Sequence, residues 1–338
     1  AIVSSSHGPT YSNYWYDLYN KGTLIVNNVT FKYNSPDRTY GGEIWTGVNS
    51  TLTVTDSVFD GEHTVRSQIY ADGLNYNINI DKCTFKNYNA SNAAIGLNKA
   101  GNLTVTNSIF QDNLETSYGG GIYINARDSV VLIDNCTFEN CNSTADGGAL
   151  YVQGLECKLY NSTFISNIAG DDGGAILWSG KDGLVDNCTF TNNKAIAGWD
   201  PIEGEYHHSK GGSINVLGDG GVITKSKFEM SHAITDGGAI YVTGNHVNIT
   251  DSTFKKCNVT FTDEPKHNHG GGAIYVEGNN SNVLNCTFDT CKAKLGGDVF
   301  IQGHNVTINK TESKDAYVPS SGGSIFVQGD NATILNAN

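Results

Sequence analysis

The stretch Gly237-Gly238-Ala239-Ile240-Tyr241-Val242-Thr243-Gly244 recurs, with small changes, along the whole chain of 338 residues. Near-copies begin at Gly41, Gly147, Gly173, Gly211, Gly271, Gly296 and Gly322, and looser copies surround Ile69, Ile95 and Ile122. Copies without an inserted segment follow each other after 25 to 28 residues, as from Ile214 to Ile240 and from Ile122 to Leu150. A fixed period in this range is the sequence signature of a solenoid.

A second element, (Asn/Asp)-(Ser/Cys)-Thr-Phe, repeats in the same rhythm. Its phenylalanines are Phe31, Phe59, Phe85, Phe110, Phe138, Phe164, Phe190, Phe228, Phe254 and Phe288. The spacings of both markers lengthen together at the same two places. The period therefore indicates a structural unit, one turn of a coil, which we call a rung.

Each rung is expected to hold three short strands joined by bends. Alternation puts Ile240 and Val242 of the first strand inward and Tyr241 outward, and Ser252 and Phe254 of the third strand inward. A unit of about 26 residues is too short for a strand followed by a helix. The sequence predicts an all-β, right-handed parallel β-helix of about a dozen rungs, roughly 55 Å long at ~4.8 Å per rung.

The repeat also predicts the domain organisation. Residues 1–17 precede the first clear rung and are expected to form an arm or cap, and residues 18–338 form a single β-helix domain. Residues 195–210 and 258–269 are inserted between a phenylalanine block and the next Gly-Gly pair. Both insertions are therefore expected to leave the rod at the same corner, and such a face is often the binding face of a solenoid.

Composition limits the partners and the location of the protein. The formal net charge is -13, and arginine occurs only at Arg38, Arg66 and Arg127, which argues against binding of nucleic acid. No apolar run of 18 residues occurs, so no membrane span is predicted. The chain starts with neither an initiator methionine nor a signal peptide, and we expect a processed product or a fragment.

Eight cysteines occupy places that small residues hold in other rungs. Cys83, Cys136, Cys188 and Cys286 lie two residues before the repeated phenylalanine, where other rungs have serine. The expectation is mostly free, buried thiols. Cys257 and Cys291 share one place on neighbouring rungs, so a bridge between them stays open.

The paired motifs resemble known repeats. Phe110-Gln111-Asp112-Asn113, its counterparts ending at Asn167 and Asn193, and the GGAI stretches resemble the repeats of chlamydial polymorphic outer-membrane proteins. The fuller pattern NCTFxN…DGGAIYVxG is more similar to the adhesin-like surface proteins of methanogenic archaea. The resemblance covers residues 18–338 and implies a right-handed β-helix displayed outside the cell, in adhesion or envelope architecture.

Aromatic residues dominate the outward position of the first strand. This stripe consists of Trp45, Tyr70, Tyr123, Tyr151, Tyr241, Tyr275, Phe300 and Phe326, and it is interrupted by Gly96, Leu177 and Asn215. Exposed apolar patches mark partner surfaces, and aromatic rings suit sugar faces, so a protein or glycan partner is one interpretation. The alternative is that the rings stack between rungs and only stiffen the coil.

Histidines are concentrated around the two insertions. His207, His208, His232, His267 and His269 have carboxylates close in sequence and form a candidate site for Zn²⁺ or another transition metal. No compact ligand motif accompanies them, and solvated loop histidines are the alternative.

Aspartates precede the Gly-Gly pair at Asp146, Asp172 and Asp236, and Asp171 adds a second carboxylate beside Asp172. Glycosidases need two carboxylates. A short acidic residue before glycine is also an ordinary turn residue. Because the sequence shows neither a basic partner near Asp172 nor a cleft-forming insertion there, no enzymatic activity and no catalytic residues are predicted.

Asn-x-Ser/Thr triplets are frequent and provide candidates for N-glycosylation. They are Asn28, Asn49, Asn89, Asn102, Asn135, Asn142, Asn161, Asn187, Asn248, Asn258, Asn279, Asn285, Asn305, Asn309 and Asn331. The alternative is compositional, because turns favour Asn and strands favour Thr.

These patterns together favour a non-enzymatic, extracellular adhesin-like or cell-envelope protein that needs no cofactor. Its expected partners at the cell surface are a glycan, a protein or copies of itself. A filament or sheath subunit is the alternative, since the last rung stops before its third strand and we expect it to be covered by another copy or by further chain. A carbohydrate-active β-helix enzyme is a third, less favoured possibility.

Overall fold

The computed structural model of the chain describes residues 2–4, 16–32, 42–61, 67–90, 93–115, 117–197, 199–200, 205–206, 209–260 and 269–338. These residues form a right-handed parallel β-helix with three strands per rung, which confirms the predicted fold class. No helix occurs in the described ranges, and accordingly none there is long and apolar enough to cross a membrane.

Three sheets of twelve parallel strands form the walls of the rod. The first sheet contains Tyr16–Asn20, Gly42–Thr46, Ile69–Ala71, Ile95–Leu97, Ile122–Ile124, Leu150–Val152, Ile176–Trp178, Ile214–Val216, Ile240–Val242, Ile274–Val276, Val299–Ile301 and Ile325–Val327. The second sheet contains Thr23–Asn27, Thr51–Thr55, Tyr76–Asp81, Gly101–Thr106, Val130–Asp134, Leu155–Tyr160, Leu184–Asp186, Val222–Thr224, Asn248–Thr250, Asn282–Leu284, Thr307–Asn309 and Thr333–Leu335. The third sheet contains Ile2–Ser4, Thr30–Lys32, Val58–Asp60, Thr84–Lys86, Ile109–Gln111, Thr137–Glu139, Thr163–Ile165, Thr189–Thr191, Lys227–Glu229, Thr253–Lys255, Thr287–Asp289 and Glu312–Lys314.

Two smaller sheets lie on the path from the third strand to the next Gly-Gly pair. A corner sheet of two-residue strands contains Asn89–Ala90, Leu114–Glu115, Asn142–Ser143, Ile168–Ala169, Lys194–Ala195, His232–Ala233 and Asn258–Val259. An antiparallel hairpin joins Trp199–Asp200 to Glu205–Tyr206. The strand at Lys194 and the strand at Asn258 flank the strand at His232 in the corner sheet, so both insertions start from the same corner.

The start of the chain belongs partly to the coil. Residues 2–4 pair in parallel with Thr30–Lys32 and so add a strand to the first edge of the third sheet. Covering an unpaired edge in this way is what a cap does, and the arm or cap over residues 1–17 stays a prediction.

Equivalent residues lie directly over one another. Tyr241 pairs with Tyr275, and Phe254 with Phe288. The ten repeated phenylalanines form one stack inside the rod, with ring centroids 4.6 to 5.1 Å apart. The inward Ile240, Val242, Ser252 and Phe254 are all buried, as the alternation predicts.

The two positions of the Gly-Gly pair require glycine for different reasons. Gly237 has a φ of +62°, a left-handed conformation in which a side chain is strained. A Cβ on Gly238 would lie 2.0 Å from the carbonyl oxygen of Gly272 on the next rung. The pair therefore sets the close approach of neighbouring rungs at this corner.

All eight cysteines are buried free thiols. Burial raises the pKa of the Cys136 thiol and of the Cys141 thiol to about 12. The Sγ atom of Cys141 lies 3.5 Å from the carbonyl oxygen of Phe110 on the preceding rung. The thiols thus fill small places in the wall, and Cys257 and Cys291 are not bridged in the structure.

Candidate functional site

The residue before each Gly-Gly pair lies in one column along a corner of the rod. Tyr118, Asp146, Asp172, Lys210 and Asp236 occupy this place on successive rungs. Backbone hydrogen bonds keep the column in register, since the N–H groups after Tyr118, Asp146 and Asp172 donate to the carbonyl oxygen of the next column residue. The first-strand stripe runs alongside this column, because only a short bend separates the two.

Three carboxyl groups converge at this corner. One carboxylate oxygen from each of Asp146, Asp171 and Asp172 lies within 4.8 Å of the other two, and all three residues are half-buried. We call these residues the acid cluster. It is the one grouping of three or more His, Cys, Asp or Glu side chains with mutually close ligand atoms among the described residues.

The column aspartates also hold the turn. Asp146 Oδ1 accepts the N–H of Asp172 at 3.1 Å, and Asp172 Oδ1 accepts the N–H of Lys210 at 2.8 Å. Asp236 Oδ1 accepts the N–H of Gly270 at 3.1 Å in the same way. Asp146, Asp172 and Asp236 all have this turn role. It does not account for the further carboxylate that Asp171 places beside Asp146 and Asp172.

The surroundings favour protonated carboxyl groups. Burial, followed by the charges of Asp171 and Asp146, raises the pKa of Asp172 to about 7. The backbone hydrogen bond from Lys210 and the Lys210 charge act in the opposite direction. Burial, with the Asp171 charge as a further raising contribution, raises the pKa of Asp146 to about 6. A carboxyl group with a pKa near neutrality can both give and take a proton at physiological pH.

A buried amide faces the acid cluster. Asn215 is fully buried, and its Nδ2 donates to Asp172 Oδ2 at 2.8 Å. Its Oδ1 has no hydrogen-bond partner among the described residues. An amide offers a donor and an acceptor on the same carbon, so rotation of this group could serve either protonation state of Asp172.

A basic residue does lie beside Asp172, contrary to the prediction. Lys210 is 38 positions away in sequence because the first insertion separates them, yet it follows Asp172 directly in the column. Its Nζ donates to the Tyr241 hydroxyl at 3.1 Å and lies 4.6 Å from the ring centroid. The Tyr241 hydroxyl donates in turn to the Glu277 carboxylate. Lys210, Tyr241 and Glu277 thus form a polar chain next to the acid cluster.

Three tyrosines lie on the other side of the acid cluster. The ring centroid of Tyr118 is 4.8 Å from that of Tyr151 and 6.1 Å from that of Tyr123, and Tyr123 and Tyr151 are 5.3 Å apart. Tyr118 is 38% exposed, and the other two are half-buried. We call these residues the tyrosine patch. Burial raises the pKa of Tyr151, and the charge of the nearby Asp146 carboxylate adds to this rise.

The remainder of the predicted stripe is packed to different degrees. Tyr241, Tyr275 and Phe300 are buried, and neighbouring rings from Tyr241 to Phe326 have centroids 4.5 to 5.1 Å apart. Trp45 stacks on Tyr19 at 4.0 Å. Tyr70 is half-buried, and its hydroxyl accepts the Nδ2 of Asn98. Close stacking and burial therefore describe the stripe from Tyr241 to Phe300, whereas Tyr123 and Tyr151 near the acid cluster are half-buried.

The predicted histidine site falls mostly outside the described residues, which exclude His207, His208 and His267. The two ring nitrogens of His232 contact Asn258 Oδ1 at 2.5 Å and Thr260 Oγ1 at 3.1 Å. His269 is buried, with Nδ1 3.9 Å from Asp236 Oδ1. Neither belongs to a cluster of metal-ligating side chains within the described ranges.

The predicted glycosylation sites all have accessible side chains. Ten are exposed: Asn28, Asn49, Asn89, Asn102, Asn135, Asn161, Asn187, Asn285, Asn305 and Asn331. Asn142, Asn248, Asn258, Asn279 and Asn309 are half-buried. Several amides also bond between rungs, as when Asn135 Nδ2 donates to Asn107 Oδ1 at 2.7 Å. Their modification stays a prediction.

One family model supports the architecture. The family described as "Right handed beta helix region" matches residues 75–204. Two similar solved structures are catalytic domains of a GH87 α-1,3-glucanase, one with tetrasaccharides and one with nigerose. The first is 12% identical with a TM-score of 0.37 and covers 85% of this chain, and the second is 13% identical with a TM-score of 0.34 and covers 96%. This chain spans 60% of the length of each, and no curated protein sequence matches it.

These comparisons contradict the predicted non-enzymatic adhesin or envelope function, because the similar solved structures are catalytic domains of a carbohydrate-active enzyme. At this identity and TM-score the likeness assigns no activity to this chain. One of the two grounds for excluding an enzyme was the absence of a basic residue near Asp172. Lys210 lies close enough for its charge to act on that carboxyl group, in the direction that lowers its pKa.

Proposed function

We propose that this protein cleaves glycosidic bonds at the acid cluster. The observation that carries the proposal is the convergence of Asp146, Asp171 and Asp172 beside the buried, incompletely paired amide of Asn215. Most glycosidases act through two carboxyl groups that flank the scissile bond, one of which protonates the leaving oxygen. Close carboxylates on a solvent-accessible corner, next to open aromatic rings, provide these groups.

Asp172 is the proposed acid. Its carboxyl group is the more strongly desolvated of the two with raised pKa values, so much of it is protonated near neutral pH. Its proton passes to the glycosidic oxygen as the bond from that oxygen to the anomeric carbon breaks. The carboxylate of Asp171 or Asp146 bonds to that carbon, because carboxyl groups this close leave no room for a water between them. Water then hydrolyses the glycosyl ester, its hydroxyl group going to the anomeric carbon and its proton to Asp172. The products are two shorter sugar chains, one with a new reducing end.

The test is release of reducing ends from a panel of glycans: α-glucans, β-glucans, xylan, mannan and polyuronates. We expect wild type to cleave at least one of them, and Asp172→Asn to lower the rate by at least about 100-fold, because a positioned acid contributes roughly 10²- to 10⁴-fold. Asp171→Asn should also lower it.

Asp236→Asn is the matched control. Asp236 holds the same column position and makes the same contact to the next rung, but it lies outside the acid cluster. This variant should keep near-normal activity, with circular dichroism confirming that every variant is folded. The proposal fails if no glycan is cleaved, or if Asp172→Asn and Asp236→Asn have equal activity.

We also propose an extracellular location for this protein. The repeat resemblance to displayed surface proteins supports this location, and accessible glycosylation motifs are compatible with it. Fractionation of source cells with an antibody against this chain is the test, and recovery only from the cytoplasm would contradict it.

A further inference from the structure

We propose that a neutral sugar chain binds along the corner column, with one sugar ring stacked on the tyrosine patch and the adjoining bond at the acid cluster. This inference deepens the proposed function, on which it rests for the reacting position, and names the substrate class. It depends on three observations: the openness of the patch, its position and the charge around it.

The patch is more open than the stripe residues that follow the acid cluster, Tyr241, Tyr275 and Phe300. Tyr118 is 38% exposed, whereas Tyr241 is 3% and Tyr275 is 6% exposed. Tyr118 also belongs to the column itself, and its ring lies at 47° to the ring of Tyr151. Tilted rings leave part of each face accessible. A pyranose presents an apolar C–H face, and aromatic side chains with few polar groups are typical of small-ligand sites.

The position of the patch fits a chain that runs parallel to the rod axis. Tyr118 precedes Asp146 in the column by one rung, and Asp172 follows by another. Successive rungs are ~4.8 Å apart. A ring on Tyr118 therefore places the next bonds of the same chain over Asp146 and Asp172. The patch is thus a neighbouring binding position and not a separate site.

Charge selects among sugar chains. The column and its polar neighbours carry Asp146, Asp171, Asp172, Asp236 and Glu277, and the net charge of the whole chain is -13. Lys210 is the basic residue of the column, and its Nζ is engaged with Tyr241. Like charges brought together oppose binding, so a polyuronate is disfavoured and an uncharged chain is accepted.

The test measures binding by isothermal titration calorimetry on an Asp172→Asn background, so that cleavage does not consume the ligand. The probes are neutral hexasaccharides of α- and β-linked glucose and a hexagalacturonate of equal length, at 0.15 M salt. We expect at least one neutral probe to bind and the hexagalacturonate not to bind. Tyr118→Ala should weaken binding about tenfold, as loss of an aromatic anchor does. Tyr118→Phe should retain most of the affinity, since the ring remains.

Tyr160→Ala is the matched control, because Tyr160 lies half-buried on the second sheet, away from the column, and should not change binding. The inference is overturned if the hexagalacturonate binds as tightly as the neutral probes, if no neutral probe binds, or if Tyr118→Ala and Tyr160→Ala have equal affinities. Binding through Tyr118 without any cleavage by wild type would defeat the hydrolysis proposal alone. Cleavage that is insensitive to Tyr118→Ala would defeat this inference alone.

Discussion

Asp172 serves two purposes with one carboxyl group. Its Oδ1 accepts the N–H of Lys210 and thereby joins two rungs, while Oδ2 accepts the amide of Asn215 beside the other acids. Ionisation of Asp172 is unfavourable because the group is desolvated and lies next to the charges of Asp171 and Asp146. The arrangement therefore makes stability depend on pH.

The direction follows from the raised pKa values. Asp172 has a pKa of about 7 in the folded protein against an ordinary 3.8, and Asp146 has about 6, so the folded state holds more protons between these limits. Their contribution to stability is complete below about pH 4 and is lost as pH rises through about 7. We expect the free energy of unfolding of wild type to fall over this window. For Asp172 the fall is on the order of 2 to 4 kcal/mol.

Asp172→Asn should reduce this fall, since asparagine does not ionise, and urea titrations at pH 5 and pH 8 measure it. The opposite sign, with wild type gaining stability towards pH 8 relative to Asp172→Asn, would contradict the assignment. Carboxylates with lowered pKa values, such as Asp60 and Asp81, act in a separate window at more acidic pH.

For single residues, the sequence identified the acidic side chains but not which side chains lie close together in the structure. Asp146, Asp171 and Asp172 were visible in the repeat and were interpreted as turn residues, a role that Asp146 and Asp172 do have. Lys210 was missed because an insertion separates it from Asp172. The column position before Gly-Gly was the signal that could have found both Lys210 and Tyr118. Burial of Tyr241 was not predictable, since alternation gives the direction of a side chain and not what covers it.

The sequence also predicted the strands better than the bends that join them. Spacing and alternation located the strands around Ile240, Asn248 and Phe254. Other bends use left-handed residues that the period does not mark: Asn135 and Asn140 both have a φ of 52°, and Asn280 has 55°. Asparagine tolerates this conformation better than most residues, which gives the high asparagine content a structural reason.

The Gly-Gly bend should tolerate substitution poorly. Gly238→Ala places a Cβ 2.0 Å from the Gly272 carbonyl oxygen, so the rungs must separate locally. We expect a loss of about 2 to 3 kcal/mol in the free energy of unfolding, measured by urea denaturation.

Gly22→Ala is the matched control for that bend. A Cβ on Gly22 meets no atom within 4 Å, and the residue is exposed. Its effect should be neutral, or stabilising by up to about 1 kcal/mol through the unfolded chain. Equal denaturation midpoints for Gly238→Ala and Gly22→Ala would show that the rungs are less closely apposed than described.

Buried apolar side chains form one continuous core along the interior of the rod, and the eight cysteines are distributed along it. All are buried, and desolvation raises the pKa of those such as Cys83, to about 11, and Cys188, to about 12. A thiol reacts as the thiolate, so both access and ionisation are suppressed. We expect no reaction with Ellman's reagent under native conditions and eight thiols in guanidinium chloride. Fewer than eight thiols after unfolding would reveal a disulfide, and rapid native labelling would contradict the burial.

Equivalent residues of neighbouring rungs lie directly over one another, so evolution can add or remove a whole rung without disturbing the others. Unequal recombination between two repeats adds or removes whole rungs and leaves every sheet and the phenylalanine stack continuous. The acid cluster draws only on rungs that follow each other in the chain. Exchanges elsewhere therefore change the length of the rod in steps of ~4.8 Å without altering that corner. Over evolutionary time, reach and chemistry can vary independently in a protein built this way.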